Sequence, residues 1–234
     1  MPKAKSIVGV IHARMGSSRF PGKMLADLGG YPILEWVVRR AQKTRSIERL
    51  ILATSDLAAD TVLHELGTSL DIEVFRGSHE DVLRRVLDAA RPYEPDALLR
   101  ICADNPFVDS ELLDELVMRF RHNWSDYAFN HRPGLGLQVA DGFGGEVFDA
   151  AVLATIPTRF ENRRYREHLT SPFWDHQHLF SIQAVEVQAN LRHPHLRFDV
   201  DTPDDLSYLN FLVEKGHIQF DSPASRIVEV ALSV

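Results

Sequence analysis

Strand-like and helix-like segments alternate four times through the first half of the chain, and this alternation restricts the fold more than any other feature. Residues 6–12 form a short apolar run rich in β-branched side chains, the pattern of a buried strand. Residues 50–54, 71–75 and 97–102 read the same way. Residues 33–42, 60–70, 79–91 and 110–120 read as helices. In the first of these Ile33, Trp36, Val37 and Arg40 fall three or four apart, and Pro32 stands in the first turn, where a missing N–H does no harm. Pro92 stops the third, and Ser110 is the expected N-cap of the fourth. This repeat implies an α/β fold: a mostly parallel sheet covered by helices on both faces.

The alternation then breaks. Residues 133–145 carry five glycines (134, 136, 142, 144 and 145) and read as a mobile loop. After it come a strand near 146–148, a helix near 150–156, an arginine-rich helix near 161–169, strands at 180–187 and 197–200, and a helix over 203–215 capped by Thr202. With 44% apolar and 25% charged residues and no repeat, linker or low-complexity tract, all 234 residues are expected to form one domain.

Other features exclude whole classes. A net charge of −7 argues against a surface coated for nucleic acid. The single cysteine, Cys102, excludes an intrachain disulfide framework and a multi-cysteine zinc site. The N-terminal Met1-Pro2-Lys3-Ala4-Lys5 is basic, but no signal-type apolar stretch follows it and no run is long enough for a membrane span. A cytoplasmic location without membrane insertion is the expectation. Only five of the 26 Lys and Arg residues are lysine. Arginine's planar fork suits carboxylates and phosphates, although codon bias produces the same excess.

The segment from His12 to Lys23 carries the most chemistry. It follows the first strand, and in open α/β sheets ligands sit at the carboxyl ends of strands. Three cations (Arg14, Arg19, Lys23), two hydroxyls (Ser17, Ser18) and two glycines (Gly16, Gly22) share this short turn. Glycines let backbone N–H groups approach an anion, and serines add donors. The Walker spacing fails, because five residues separate Gly16 from Gly22 and Met24 follows Lys23. The dinucleotide G-x-G-x-x-G is also absent. A polyphosphate site of another kind is indicated over a solvated basic loop.

The string Ala13-Arg14-Met15-Gly16-Ser17-Ser18-Arg19, followed by Pro21-Gly22-Lys23, resembles the signature of cytidylyltransferases related to CMP-Kdo synthetase. It is most similar to the branch named for spore-coat polysaccharide biosynthesis. Further motifs agree in order: Val74 to Ser78 with Asp81-Val82-Leu83, Arg100-Ile101 with Asp104 and Pro106, Asp141-Gly142 with Glu146-Val147-Phe148, Arg166-Glu167-His168, and Val200-Asp201-Thr202-Pro203. The resemblance implies a three-layer, Rossmann-like nucleotide-diphospho-sugar transferase fold with a mostly parallel mixed sheet. It implies transfer of CMP from CTP to an acceptor, with release of pyrophosphate, in surface polysaccharide or glycan biosynthesis.

By this resemblance Ala13, Arg14, Gly16, Ser17, Arg19 and Lys23 hold the nucleotide, and Arg14 and Lys23 also serve catalysis. Arg76, Ser78, Arg85 and Arg100 complete the nucleotide site. Asp104 and Asp201 bind Mg2+ and are catalytic through it. Read without the resemblance, each aspartate precedes a helix and equally suits an N-cap, Arg84 and Arg85 equally suit a solvated face, and Arg100 needs a buried partner. Arg159, Arg163 and Arg166 share a helical face. Arg166, His168 and Glu146 are assigned to the acceptor, an anion such as a sugar acid, a phosphate or a phosphonate. His176, His178, His193 and His195 lack further ligands at zinc spacing.

Three positions depart from the family pattern: His12, Cys102 and Gly144, the last in place of an acidic residue. Gly144 bears on the acceptor, because residues 133–195 are expected to form the acceptor side, with the glycine-rich loop closing over it. The same region, with the Phe173-Trp174 pair taken as exposed anchors, is expected to join a homodimer. The rival readings are a glycosyltransferase using Asp199-Val200-Asp201 as a D-x-D metal motif and a non-catalytic nucleotide-binding protein.

Overall fold

A computed structural model describes residues 5–234. Of the basic N-terminal pentapeptide, residues 1–4 lie outside the described part. Lys5 sets its ammonium 3.4 Å from the centre of the Trp124 ring.

The first half follows the expected alternation: β1 (Ile7–His12), the hairpin β2 (Asp27–Leu28) and β3 (Tyr31–Pro32), α1 (Ile33–Ala41), β4 (Arg49–Ser55), α2 (Thr61–Ser69), β5 (Glu73–Gly77), α3 (Val82–Ala90), β6 (Ala97–Cys102) and α4 (Ser110–His122). The second half adds β7 (Tyr127–Phe129), β8 (Glu146–Asp149), α5 (Ala150–Arg159), α6 (Arg164–Glu167), α7 (Ser171–Asp175), β9 (Ile182–Ala184), α8 (Pro203–Gly216) and α9 (Ala224–Leu232). Seven strands form one sheet in the order β5-β4-β1-β6-β8-β7-β9. The pairs β5–β4, β4–β1, β1–β6 and β7–β9 are parallel, and β8 runs antiparallel to both of its neighbours. The sheet is therefore mixed and mostly parallel, as expected. Central β1 is apolar from Ile7 to Ile11, apart from Gly9, because both of its faces are covered.

Element ends moved where a side chain outranked periodicity. Asp109, rather than Ser110, caps α4: its carboxylate accepts from the amides of Glu111 and Leu112 and from the Ala224 amide at the start of α9. Asp81 caps α3, so that helix starts at Val82. Thr202 caps α8 as expected, within a capping box closed by Asp205. The arginine-rich helix expected over 161–169 is the single turn α6. Within 161–169 only Tyr165 and Leu169 are buried, too few apolar contacts to hold a longer helix. Residues 197–200 form no strand, only an isolated bridge between Asp141 and Arg197.

Two expectations about the second half are corrected. The glycine-rich stretch is no loose loop, because Val139, Ala140 and Phe143 are fully buried and exposure within it is confined to Leu135, Gly136 and Gln138. Gly144 is a packing requirement: a Cβ there would lie 2.2 Å from Asn130 Oδ1, so its lack of a carboxylate says nothing about the acceptor. Nor are Phe173 and Trp174 exposed anchors. Phe173 is 0% exposed among Tyr127, Phe148 and Phe180, and Trp174 packs edge-on against Phe129.

Arg40 on the buried face of α1 ties distant segments together. Its guanidinium donates to the carbonyls of Val108 (2.7 Å), Ser222 (2.9 Å), Phe220 (3.2 Å) and Phe107 (3.2 Å). Burial lowers its pKa to about 10. Arg40→Met keeps the stem but orphans those carbonyls. A loss of about 3 kcal/mol in urea-induced unfolding is expected. A midpoint within about 0.5 kcal/mol of wild type would contradict the role.

Candidate active site

The connection from β1 leads to β4 on one side, while β6 enters the sheet on the other, so the chain reverses direction between β1 and β6. Such a switch point leaves a crevice at the carboxyl ends of the two strands. His12 and Cys102, the last residues of those strands, are register partners there. The 13–23 turn and the Ala103-Asp104 turn stand over the crevice, which encloses a cavity of about 470 Å3.

The turn is shaped by its own backbone and one buried acid. Asp60, hydrogen-bonded to Ser55, accepts from the Met15 amide at 2.7 Å. The Met15 carbonyl receives the amides of Ser17 (3.0 Å) and Gly22 (3.2 Å). Gly22 has φ 77°, a left-handed conformation that glycine adopts without strain, and this turns Lys23 back into the cavity. Among the described residues the amides of Gly16, Ser18 and Arg19 find no acceptor, leaving donors on the cavity wall.

Two charged centres line the cavity. At one, Lys23 Nζ lies 3.3 Å from Asp104 Oδ2, 3.6 Å from Asp201 Oδ1 and 2.8 Å from the Val200 carbonyl oxygen. Arg19 also reaches Asp201, at 2.8 Å. The Val200 amide donates to the Asp104 carbonyl at 2.8 Å, and that bond brings Asp201 beside Asp104 although 97 positions apart in the chain numbering (201 − 104). At the other centre Arg14 pairs with Glu167 at 2.6 Å. Arg85 lines the same wall, only 1% exposed, with its Nε buried and unpartnered and its Nη1 held by the Ser78 carbonyl. Burial, with Arg14 adding, lowers its pKa. Arg85 is thus no solvated helix residue. That description fits Arg84, which is paired with Asp88.

Arg100 has its buried partner in Glu146, directly opposite on β8. Tyr127 donates to the other Glu146 oxygen, and His131 stands 3.9 Å away. Burial raises the Glu146 carboxyl, and Arg100, His131 and Tyr127 outweigh it, so its pKa falls below the ordinary value. Burial pushes His131 down to about 4. Arg100 Nε donates to His12 Nε2 at 2.7 Å. Burial and the cations Arg100, Arg85 and Arg14 hold His12 well below the usual histidine range. Burial drives the Cys102 thiol up to about 12, so it is inert.

Of the site residues expected from sequence, the structure gathers Ala13, Arg14, Gly16, Ser17, Arg19, Lys23, Arg85, Arg100, Asp104, His168 and Asp201 around the cavity. Four stand elsewhere. Arg76 is committed to the carbonyls of Ser55 and Leu57 and to Thr61, shaping the turn after β4. Ser78 accepts from the Asp81 amide at 3.0 Å. Arg166 pairs at 2.7 Å with Asp81, at the start of α3. Glu146 lies beneath Arg100. Sequence reasoning missed Glu167 and Thr170 on the wall and Asp60, Tyr127 and His131 behind it. Glu167 was visible within Arg166-Glu167-His168, whereas the others carry no local signal.

The sequence pattern of the family described as cytidylyltransferase matches residues 8–221. The chain belongs to that family. This cytidylyltransferase is a CTP-dependent nucleotidyltransferase. It is 33% identical to the spore coat polysaccharide biosynthesis protein SpsF of Bacillus subtilis (strain 168), over 95% of this chain and 92% of that one. A solved cytidylyltransferase from Leptospira borgpetersenii serovar Hardjo-bovis (strain JB197) matches at TM-score 0.89 and 25% identity, over 98% of this chain and 94% of that one. The fold is also shared with a CMP:2-keto-3-deoxy-manno-octonic acid synthetase complexed with CTP, at TM-score 0.66 and 18% identity over 90% of this chain and 99% of that one. No helix among the described residues is long and apolar enough to cross a membrane.

Proposed function

We propose that the chain transfers CMP from CTP to a small anionic acceptor, a sugar acid or a phosphate or phosphonate, and releases pyrophosphate in surface polysaccharide or glycan biosynthesis. The observation that carries this is the convergence of Lys23, Arg19, Asp104 and Asp201 beside a turn with free amides.

Two carboxylates meeting on one ammonium form a cation site, and their hard oxygens suit Mg2+, which takes its remaining ligands from water and phosphate. Among the described residues no three acidic, histidine or cysteine side chains converge as a metal cluster, so Asp104 and Asp201 would be the protein's whole share. Bound there, Mg2+ would neutralise charge on the phosphates. Lys23, Arg19 and Arg14 leave their carboxylates for phosphoryl oxygens, and the turn amides of Gly16 and its neighbours bind the same group. The acceptor oxygen attacks the α-phosphorus, and pyrophosphate leaves toward Lys23 and Arg19. Arg85 and Arg100 serve the nucleoside side. Arg85's Nη2, which has no hydrogen-bond partner among the described residues and is not a buried atom, suits cytosine, whose O2 and N3 both accept, whereas uracil presents an N3–H.

His168 is the acceptor residue that reaches the cavity. Arg166 and Glu146 act through Asp81 and Arg100. A glycosyltransferase D-x-D is disfavoured, because Asp199 turns to Arg197 (2.6 Å) while only Asp201 faces the cavity. The reading also takes the chain as one cytoplasmic domain that pairs through residues 133–195. Leu179, 41% exposed, supports the pairing. A monomer in light scattering would sink it.

The test is pyrophosphate release from CTP and Mg2+ with neutral sugars, sugar acids and phosphorylated or phosphonate compounds. Turnover with acids alone, abolished by chelation, is expected, and efficient use of a neutral sugar would refute the anionic acceptor. Asp104→Asn and Asp201→Asn should each lower kcat about a thousandfold while CTP still binds. A near-normal rate in either would reduce that aspartate to an ion-pair partner of Lys23.

A further inference from the structure

The geometry points to His12 as a nucleoside-reading residue: its imidazole, locked by Arg100 in the Nδ1–H form, offers that N–H to an oxygen of the nucleoside half of the substrate. This rests on the nucleotide reading above, which gives His12 no role.

The tautomer follows from one contact. Arg100 Nε lies 2.7 Å from His12 Nε2. A guanidinium carries only N–H donors, so Nε2 must present its lone pair, and a neutral ring then holds its proton on Nδ1. A second proton would set two donors against each other beside Arg100. The free end of the ring is equally constrained. Among the described residues Nδ1 has no hydrogen-bond partner, yet it is not among the buried polar atoms lacking one. His12 lines the cavity, so Nδ1 opens into it.

The position and charge of this donor select its target. His12 ends β1 ahead of the turn, beside α3, whose Val82 and Arg85 line the same wall. The polyphosphate donors and the acid pair follow further along, from Gly16 to Lys23 and at Asp104 and Asp201. A neutral N–H has little to add to a triphosphate already met by three cations. It suits an uncharged oxygen, a base carbonyl or a ribose hydroxyl, which must leave water to enter the cavity.

Amide variants separate the two ring nitrogens. Gln places its amide oxygen near the position of Nε2 and keeps an acceptor for Arg100. Asn places its amide near Nδ1 and keeps the donor. His12→Gln should weaken CTP and CMP binding about tenfold, His12→Asn should stay within about threefold of wild type, and tripolyphosphate should bind all three proteins alike. His12→Gln binding CMP as wild type does, or tripolyphosphate weakening in parallel, would overturn the role. Wild-type protein that fails to bind CTP would instead bring down the nucleotide reading, and this one with it. Nitrogen-15 NMR of the unliganded protein judges the tautomer independently of the variants. An Nδ1–H ring that stays neutral down to pH 5 is expected, and an Nε2–H ring or titration in the ordinary histidine range would refute the lock.

Discussion

Lys23→Met should lower turnover about a thousandfold, close to 4 kcal/mol of transition-state stabilisation. The Lys23 side chain is 12% exposed and its ammonium is held by the Val200 carbonyl, Asp104 and Asp201, so it is already positioned when a phosphate displaces the carboxylates. The same contacts make the substitution structural as well. Methionine leaves two aspartates facing one another without a cation and the Val200 carbonyl without its donor. We expect about 2 kcal/mol of destabilisation, a Tm lower by roughly 4–8 °C. Added Mg2+ should restore part of that loss, because it neutralises the same pair. Turnover within tenfold of wild type would remove Lys23 from the chemistry. A Tm unmoved by Mg2+ would remove the metal from the aspartates.

Glu146→Gln should be the most destabilising single change at the site. Glu146 is 1% exposed and its carboxylate compensates buried Arg100, and taking one partner from such a pair costs about 3–5 kcal/mol. In equilibrium urea unfolding at neutral pH, that loss is expected together with a raised KM for CTP, since Arg100 then keeps an amide acceptor and His12 but no counter-charge. The wild-type carboxyl has a depressed pKa, so the pair's contribution is present above the ordinary carboxylate range and is lost as pH falls through the lowered value. The double variant Glu146→Leu with Arg100→Met should regain much of the stability and none of the CTP affinity. A Glu146→Gln protein within about 1 kcal/mol of wild type would show that Arg100 is compensated elsewhere.

What could be read in advance is what depends on near neighbours. The apolar run of β1, the capped start of α8 at Thr202-Pro203, and the cations, glycines and hydroxyls from Arg14 to Lys23 each state their role within a dozen residues. The β-α alternation placed that turn at the carboxyl end of a central strand, where a ligand site belongs. Together these determined the fold class, the position of the cavity and the part of its wall that the 12–24 segment supplies, while Arg85, Arg100, Asp104, Asp201 and His168 were assigned through the family resemblance.

Only the tertiary structure decided the partners. Arg100 is compensated by Glu146 because β6 and β8 pair in antiparallel register, and no short-range pattern encodes that register. Arg166 left the expected acceptor side because Asp81, at the start of α3, was within reach. Gly144 answered to Asn130 and Phe173 to the aromatic cluster under β7 and β8, so neither reports on a ligand or a partner subunit. The state of His12 likewise depends on a guanidinium 88 positions away in the chain. Hydrogen bonds, ion pairs and packing act over a few ångströms of space whatever the separation in sequence. A chain therefore states its local geometry in its own pattern, while its charge pairs and contacts are settled when the sheet assembles.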